Sequence, residues 1–284
     1  MTVSGVRVGF IGLGSQGAPM ATRIIEAGYP TTLWARRDAS LDPFRSTAAG
    51  LATSPAALGE ASDVVCLCVF GDDDVREVVG ALLGGMARGS TLVVHSTVHP
   101  RTIAEVAGLA EAAGIEVVDA PVSGGGDAAL AGRLCVMVGG SESSFDRVRP
   151  VLETYGNPVR RVGPAGSGAL TKLINNLLFM ANIAVADEAL RVAVALGADR
   201  AGVADVLAAG SAASYALGVV SRMPRGRLDL IDVAGPVLGK DLAIIEELLA
   251  ERSVPMGTIG AAASTALTPP TPIPPPTPIP PLTP

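Results

Sequence analysis

Short β-branched runs alternate with helix-like runs from residue 6 to about residue 160, and this alternation constrains the fold more than any other feature. The strand-like runs are Val6–Ile11, Thr31–Trp34, Val64–Val69, Thr91–His95, Glu116–Val118 and Leu134–Val138. The helix-like runs between them are Pro19–Ala27, Ala56–Leu58, Val75–Leu83 and Ile103–Ala113. Because strands that are connected through helices pair in parallel, the pattern predicts an α/β domain with a parallel sheet.

The alternation ends at Arg161–Gly168, which contains three glycines and a proline. Beyond this segment the strand signals vanish, and Leu170–Leu196 has apolar residues at helical spacing with almost no glycine or proline. We predict one long helix there, and further helical runs at Ala201–Leu217 and Val237–Ala250. The sequence therefore predicts a domain boundary near residue 163, followed by an all-α domain over residues 164–268.

A proline-rich tail closes the chain. Ten of the 22 prolines lie in Pro269–Pro284, where they exclude a helix and favour polyproline II, since proline lacks the amide hydrogen. The tail is either a docking segment for a partner or a segment without activity of its own.

The charge balance narrows the classes of partner. With 27 acidic against 21 basic side chains the net charge is -6, so the chain lacks the positive field of a general nucleic-acid binder. Apolar runs such as Val64–Phe70 are far shorter than the roughly 20 residues that span a bilayer. Met1–Gly5 lacks the charged region followed by an apolar region that marks a secretory signal. We therefore expect no membrane association and a cytoplasmic location.

The cysteines indicate neither a disulfide framework nor a metal site. The chain has three cysteines, an odd number, and all lie within apolar runs: Cys66, Cys68 and Cys135. They show no CxxC spacing and have no neighbouring histidine. We expect small buried thiols and no bound metal.

A glycine-rich turn directly follows the first predicted strand. Its residues are Gly12, Leu13, Gly14, Ser15, Gln16 and Gly17. In this context Gly12 permits a tight turn, Gly14 lets the backbone approach a pyrophosphate, and Gly17 lets the next helix pack closely. The pyrophosphate would lie on the free amides of the helix N-terminus, so the turn predicts a dinucleotide site. A glycine-rich turn without a ligand is the alternative.

The residues after the second strand favour NADP over NAD. The segment reads Ala35-Arg36-Arg37, where an acid would bind the free ribose 2′-hydroxyl of NAD. Two guanidinium groups can instead bind a 2′-phosphate through charge-assisted hydrogen bonds. Asp38 follows directly and keeps NAD as the less favoured cofactor. We also assign Val69 and Phe70 to the cofactor site.

Two later segments carry residues suited to catalysis. In Asp119–Gly126, Ser123 is followed by three glycines, of which Gly124 and Gly125 can present backbone amides to a carboxylate. At the start of the long helix, Lys172 and Asn176 are one turn apart and share a face. Partial burial would lower the pKa of the lysine and make it a usable proton donor and acceptor, whereas a lysine that only reaches the surface is the alternative.

Taken together, these segments resemble the β-hydroxyacid dehydrogenase family, which includes 3-hydroxyisobutyrate dehydrogenases, tartronate semialdehyde reductases and glyoxylate/succinic semialdehyde reductases. The resemblance covers about residues 6–255. The segments that carry it are Gly12–Gly17, Asp119–Gly125, Gly166–Gly168 with Lys172 and Asn176, and Lys240-Asp241. It implies an NADP-dependent oxidoreductase acting on CH–OH groups, with a small carboxylate-bearing substrate. The fold class implied is an N-terminal Rossmann-type doubly wound parallel sheet, residues 1–163, followed by the all-α domain.

The resemblance also implies roles for individual residues. Lys172 would be the general acid/base, Asn176 would help to bind substrate, and Ser123 with Gly124 and Gly125 would bind its carboxylate. Lys240 would lie near the nicotinamide and Thr97 would border its ribose. We interpret the two histidines, His95 and His99, as loop residues rather than catalytic bases.

Three further expectations complete the interpretation. The apolar surface of Leu170–Leu196 predicts a homodimer or higher homo-oligomer. After Gly257 the closing helices of the family are expected to be curtailed. The alternatives to a hydroxyacid dehydrogenase are an NADPH-dependent imine reductase, against which Lys172 argues, and a catalytically silent NADP-binding module.

Overall fold

The computed structural model describes residues 5–272, and the chain divides into two compact units between Lys172 and Leu173. We call these the N-terminal and the C-terminal unit. The prediction for the proline-rich tail, Pro269–Pro284, lies mostly outside the described residues.

The N-terminal unit is built on one nine-stranded sheet. Its strands are β1 (Val8–Ile11), β2 (Thr31–Trp34), β3 (Gly50–Leu51), β4 (Val64–Leu67), β5 (Thr91–Val94), β6 (Glu116–Asp119), β7 (Val122–Ser123), β8 (Leu134–Gly139) and β9 (Gly156–Gly163). The helices are α1 (Gly17–Glu26), α2 (Pro55–Glu60), α3 (Asp72–Leu82), α4 (Pro100–Ala112), α5 (Gly125–Leu130) and α6 (Glu142–Leu152), with a 3₁₀ helix at Asp38–Phe44.

The strand order confirms the predicted Rossmann-like fold. The first six strands follow the order β3-β2-β1-β4-β5-β6 and pair in parallel. In this order the sheet grows first to one side of β1 and then to the other, so a crevice forms between the carboxyl ends of β1 and β4. The topology therefore places a ligand site at the end of β1, where the glycine-rich turn begins.

Beyond β6 the sheet is no longer purely parallel, which the sequence did not predict. β8 pairs antiparallel with both β6 and β7, and parallel with β9. Two-residue strands such as β3 and β7 are too short to show any periodicity. β9 extends to Gly163, so it covers the first part of Arg161–Gly168, the segment that the sequence indicates as a break.

Apolar side chains fill both faces of the sheet. Along β4, Val64 and Cys66 belong to one buried cluster, whereas Val65 and Leu67 belong to another. Successive side chains of a strand point to opposite faces, so the two clusters lie on opposite sides of the sheet. Both strand faces are thus covered, as expected of a doubly wound sheet.

The C-terminal unit is all-α, as predicted. The helices of this half are α7 (Ser167–Ala195), α8 (Arg200–Ala209), α9 (Tyr215–Ser221), α10 (Arg227–Glu251) and α11 (Gly257–Ala266). The predicted run Ala201–Leu217 is interrupted, because α8 ends before Gly210 and α9 starts from a new cap at Ser214. α10 begins ten residues before the predicted Val237 and continues through Pro236.

Two observations concern the ends of this unit. After Gly257 the described chain still forms the short helix α11, which precedes the proline-rich tail. Among residues 5–272, even the 29-residue α7 is not apolar enough over a sufficient length to cross a membrane.

Candidate functional site

A cleft of about 310 Å³ lies at the carboxyl ends of β1, β2 and β4. It is lined by Ile11, Gly12, Leu13, Gly14, Trp34, Ala35, Arg36, Arg37, Ser40, Cys68, Val69, Phe70, Asp74 and Val78. The structure thus brings together seven of the residues that the sequence assigns to the cofactor. The cleft coincides with the crevice that the strand order predicts.

Each glycine of the turn meets a different steric demand. Gly12 has φ +95°, and a Cβ there would lie 2.0 Å from the carbonyl oxygen of Cys68. A Cβ on Gly17 would lie 1.9 Å from the carbonyl oxygen of Gly12, so the start of α1 touches the turn directly. At Gly14 a Cβ would meet nothing within 4 Å. The space at Gly14 is open to a ligand, as the sequence predicts for a pyrophosphate.

The N-terminus of α1 has the properties of an anion site. Gln16 precedes the helix without capping it through its side chain, and the first turn contains no acidic residue. The amide nitrogen Nε2 of Gln16 is buried and finds no hydrogen-bond partner within residues 5–272. Free backbone amides and an unpaired donor favour a phosphate ligand here. The residues present therefore fit the dinucleotide that they predict.

The two arginines after β2 differ in their surroundings. Arg36 forms ion pairs with Asp74 at 3.0 Å and with Glu77 at 2.8 Å, both on α3. Arg37 is exposed and makes no ion pair in the part of the chain that the structure describes. Asp38, which kept NAD as an alternative, is paired with Arg45 at 2.6 Å.

The loops after β4 and β5 are joined beside the cleft. The amide of Val69 donates a hydrogen bond of 2.9 Å to the hydroxyl of Ser96. Phe70 has 56% of its side chain exposed. Thr97 is partly exposed between the buried residues Ser96 and Val98, so it lies at the same edge of the sheet as the glycine-rich turn.

The candidate carboxylate-binding loop follows β7. Ser123 is opposite Cys135 in the β7–β8 pair, and Gly124 and Gly125 are exposed. Both glycines have positive φ, +137° and +80°, which other residues rarely adopt. The loop therefore presents two backbone amides in a conformation that depends on glycine.

Asp119 connects this loop to α7. It is the last residue of β6 and is fully buried. Its Oδ1 accepts a hydrogen bond from the amide of Gly166, and its Oδ2 accepts one from the amide of Ala169, each at 2.7 Å. Desolvation raises the pKa of Asp119, and the two backbone amides act in the opposite direction. The carboxylate satisfies amides that a helix N-terminus leaves without partners.

Lys172 follows Ala169 by less than one turn of α7, and Asn176 follows one turn later. Lys172 is partly buried, whereas Asn176 is 7% exposed. The structure thus confirms that both predicted residues lie on a single helix.

Asn176 belongs to a polar cluster inside the C-terminal unit. Its Nδ2 donates a hydrogen bond of 2.6 Å to Oδ2 of Asp241, a residue that is 1% exposed. Lys240 Nζ donates to the other carboxylate oxygen at 2.7 Å. Asp241 therefore fixes which way the Asn176 amide points, and it connects two of the segments that carry the family resemblance.

His95 is a core residue at the end of β5. Its Nδ1 lies 2.6 Å from the carbonyl oxygen of Ala120, and its Nε2 lies 3.1 Å from the hydroxyl of Tyr155. Because a carbonyl can only accept, Nδ1 carries the hydrogen and Nε2 accepts from the tyrosine. Burial lowers the pKa of His95 to about 4. His99 caps α4, where its Nδ1 accepts from the amide of Arg101.

The three cysteines differ in burial. Cys66 is buried, while Cys68 and Cys135 are partly buried, and none forms a disulfide. Burial raises the pKa of both Cys66 and Cys68 to about 12, so neither is a thiolate near neutral pH.

The sequence interpretation assigned no role to four acids of the site. Asp74 and Glu77 pair with Arg36. Asp241 contacts Asn176 and Lys240, and Asp119 holds the start of α7. Asp119 begins a segment that the sequence singled out, and it follows an apolar strand where an unpartnered charge would be costly. The position of Asp119 in the sequence could therefore have indicated a buried, hydrogen-bonded carboxylate. Asp74 is one of three acids at the start of α3 and carries no comparable signal.

Comparison with known proteins agrees with this geometry. Residues 7–163 match the family described as the NAD binding domain of 6-phosphogluconate dehydrogenase. Residues 166–268 match the family described as NAD-binding of NADP-dependent 3-hydroxyisobutyrate dehydrogenase. Both halves of the chain therefore point to pyridine-nucleotide oxidoreductases.

Two curated relatives extend over most of the chain. The 2-(hydroxymethyl)glutarate dehydrogenase of Eubacterium barkeri is 30% identical over 262 residues, 88% of this chain and 85% of the relative. The NAD-dependent L-serine dehydrogenase of Pseudomonas aeruginosa is 30% identical over 265 residues, 89% of each chain. Both names describe dehydrogenases that act on hydroxyl groups.

Solved structures show the same architecture. The 3-hydroxyisobutyrate dehydrogenase of Mycobacterium tuberculosis, solved with L-serine, has a TM-score of 0.81 at 26% identity and covers 93% of this chain and 92% of its own. An imine reductase from Pseudomonas sp. shares the fold, with a TM-score of 0.67 at 18% identity, and covers 92% of each chain. The protein is an NAD(P)-binding oxidoreductase that acts on CH–OH groups, and it belongs to the β-hydroxyacid dehydrogenase family.

Proposed function

We propose that this protein is an NADP-dependent β-hydroxyacid dehydrogenase, or aldehyde-acid reductase, that uses Lys172 as general acid/base. The observation that supports this most directly is the pair of hydrogen bonds from Gly166 and Ala169 to Asp119. They tie the start of the helix that carries Lys172 to the strand that leads into Ser123. A proton donor and a carboxylate-binding loop are thereby fixed to one buried group.

The reaction pairs a hydride with a proton. Gly12, Gly14 and the arginines after β2 would hold the dinucleotide, whose nicotinamide would supply the hydride chemistry when bound. The Nζ of Lys172 donates the proton to the carbonyl oxygen and takes it back in the oxidation direction. The hydroxyl of Ser123 and the amides of Gly124 and Gly125 bind the carboxylate, which fixes the reacting carbon. Asn176, whose amide is oriented by Asp241, helps to bind the substrate.

The preference for NADP rests on the two arginines at the end of β2. Both line the cleft beside Gly12 and Gly14, and no acid follows β2 in the position that favours NAD. Arg36→Asp combined with Arg37→Ala should weaken NADPH binding far more than NADH binding. An equal loss for both cofactors would contradict this part of the proposal.

The substrate class is tested by a screen with NADPH and NADH. The compounds are glyoxylate, succinic semialdehyde, tartronate semialdehyde and methylmalonate semialdehyde, with a series of cyclic imines as the competing class. We expect turnover of at least one aldehyde acid, and loss of that turnover when the carboxylate is replaced by an amide. Reduction of the imines alone would overturn the proposal.

We further propose that the protein forms a homodimer or higher homo-oligomer. α7 has large apolar side chains that are half exposed or more in the described unit, including Ile174 at 50%, Leu178 at 50% and Val185 at 62%. An apolar helix face of this kind favours a protein partner over water. Light scattering over a hundredfold range of concentration tests this, and a monomer at every concentration would contradict it.

A further inference from the structure

The guanidinium of Arg36 is held at both ends by carboxylates of α3. Its Nη1 lies 3.0 Å from Oδ1 of Asp74, and its Nη2 lies 2.8 Å from Oε2 of Glu77. The fork that would receive a 2′-phosphate is therefore already engaged by two acids. Arg37 beside it makes no ion pair within residues 5–272. A phosphate would therefore compete with carboxylates at Arg36 but not at Arg37.

Asp74 also faces the ligand site itself. It lines the same cleft as Gly14, Arg36 and Arg37, and its side chain is 28% exposed. A carboxylate at this place repels the negatively charged 2′-phosphate of NADP. It does not repel the uncharged 2′-hydroxyl of NAD. Glu77 lies one turn further along α3 and contributes the second negative charge.

We propose that Asp74 and Glu77 determine cofactor specificity by competing with the ribose 2′-phosphate for Arg36. This inference rests on the proposed dinucleotide site. A 2′-phosphorylated dinucleotide has to compete with the two carboxylates for Arg36, whereas NAD leaves both ion pairs intact. The preference for NADP over NAD is therefore smaller with the two acids present than it would be with the arginine pair alone.

The test uses two fragments that differ only in the 2′-phosphate, adenosine 2′,5′-bisphosphate and 5′-AMP, with binding measured by calorimetry at fixed ionic strength. In the double variant Asp74→Asn, Glu77→Gln, we expect the bisphosphate to bind about three- to tenfold more tightly, the range that exposed ion pairs allow. Binding of 5′-AMP should change less than twofold. The same difference is expected between NADP⁺ and NAD⁺.

A matched control separates the local contacts from the change in net charge. Arg76 is also held by two exposed carboxylates, Asp73 at 3.1 Å and Glu105 at 2.9 Å. The variant Asp73→Asn, Glu105→Gln removes the same two charges from the same unit without touching Arg36. It should leave the ratio of the two affinities within twofold of the wild type.

Arg36→Ala supplies the second control. In an Arg36→Ala background only the direct repulsion by Asp74 remains, so neutralising the acids should give a clearly smaller gain for the bisphosphate than it gives with Arg36 present. An unchanged affinity ratio in the double variant, or a gain that is as large without Arg36 as with it, would overturn the inference. Failure of 5′-AMP to bind the wild-type protein would instead overturn the dinucleotide site on which the inference rests.

Discussion

The carboxylate of Asp119 accepts a hydrogen bond of 2.7 Å from the backbone amide of Ala169, at the start of α7. The same carboxylate accepts a second one from Gly166, so both of its oxygens are used. Asp119 thus holds the beginning of the helix on which Lys172 lies, from inside the sheet that leads to Ser123. The geometry makes Asp119 a positioning residue for the proposed acid/base.

Asp119→Asn should therefore impair both stability and turnover. The amide offers one acceptor oxygen, so a buried backbone N–H loses its partner at a cost of about 1–3 kcal/mol. We expect kcat to fall at least tenfold after correction for the folded fraction, with dinucleotide affinity little changed. Denaturant unfolding and steady-state kinetics measure the two effects.

Asp199→Asn is the matched control for this variant. Asp199 caps α8 with a single oxygen, Oδ2, which accepts from the amide of Gly202 at 2.7 Å. Asparagine caps a helix about as well as aspartate, so stability and kcat should stay close to those of the wild type. Equal effects of the two substitutions would show that Asp119 is only a helix cap.

Lys172→Ala should lower kcat by about 10² to 10⁴, the usual value of general acid catalysis, and leave NADPH binding nearly intact. Lys172→Arg should do little better, because guanidinium does not release its proton at accessible pH. Small primary amines added to Lys172→Ala should restore part of the turnover, whereas tetramethylammonium, which has no proton to give, should not. Near-full turnover of the alanine variant would show that the proton comes from elsewhere.

The sequence predicts the sheet well where each strand carries its own signal. β2 begins and ends where the sequence places it, because Thr31, Thr32 and Trp34 are residue types that favour strands. α6 was missed, and its Pro150 is one reason, since proline argues against a helix interior. Strand order and antiparallel pairing of β8 depend on contacts that no local pattern contains.

The candidate site also combines features that the local sequence predicts with contacts between distant residues that it does not. The open space at Gly14 follows from the turn itself, so the sequence alone could predict it. The ion pair between Arg36 and Glu77 joins residues 41 positions apart, and the bond from Ala169 to Asp119 spans 50. Contacts at that separation arise only once the sheet has formed, so the contacts of these acids came from the structure.

His95 predicts how stability depends on pH. An unfolded histidine binds a proton near pH 6.5, whereas burial lowers the pKa of His95 in the folded protein to about 4. Between these values the unfolded state binds a proton that the folded state does not, so stability is present above pH 6.5 and is lost as the pH falls to about 4. The loss is on the order of 3 kcal/mol.

Urea unfolding of wild type and His95→Gln across this pH range tests the assignment. Glutamine keeps a donor for Ala120 and an acceptor for Tyr155 but does not titrate, so its profile should be flatter. His99→Gln removes the other histidine of the chain and is the comparison variant. A His95→Gln profile as steep as that of the wild type would assign the pH dependence to other groups.

Gly14→Ala should separate ligand binding from folding. A Cβ at Gly14 meets no atom within 4 Å and the residue does not have positive φ, so the folded protein should accept alanine without loss of stability. The methyl group would occupy the space through which a pyrophosphate approaches the backbone, so dinucleotide affinity should fall at least tenfold.

Gly80→Ala, at a position on α3 that is equally open, is the control for Gly14→Ala. It should gain about 0.5–1 kcal/mol of stability from helix propensity and leave dinucleotide binding unchanged. Trp34, the one tryptophan of the chain, lines the cleft, so quenching of its fluorescence by added dinucleotide reports affinity for all three proteins. Wild-type affinity in Gly14→Ala would place the pyrophosphate away from this turn.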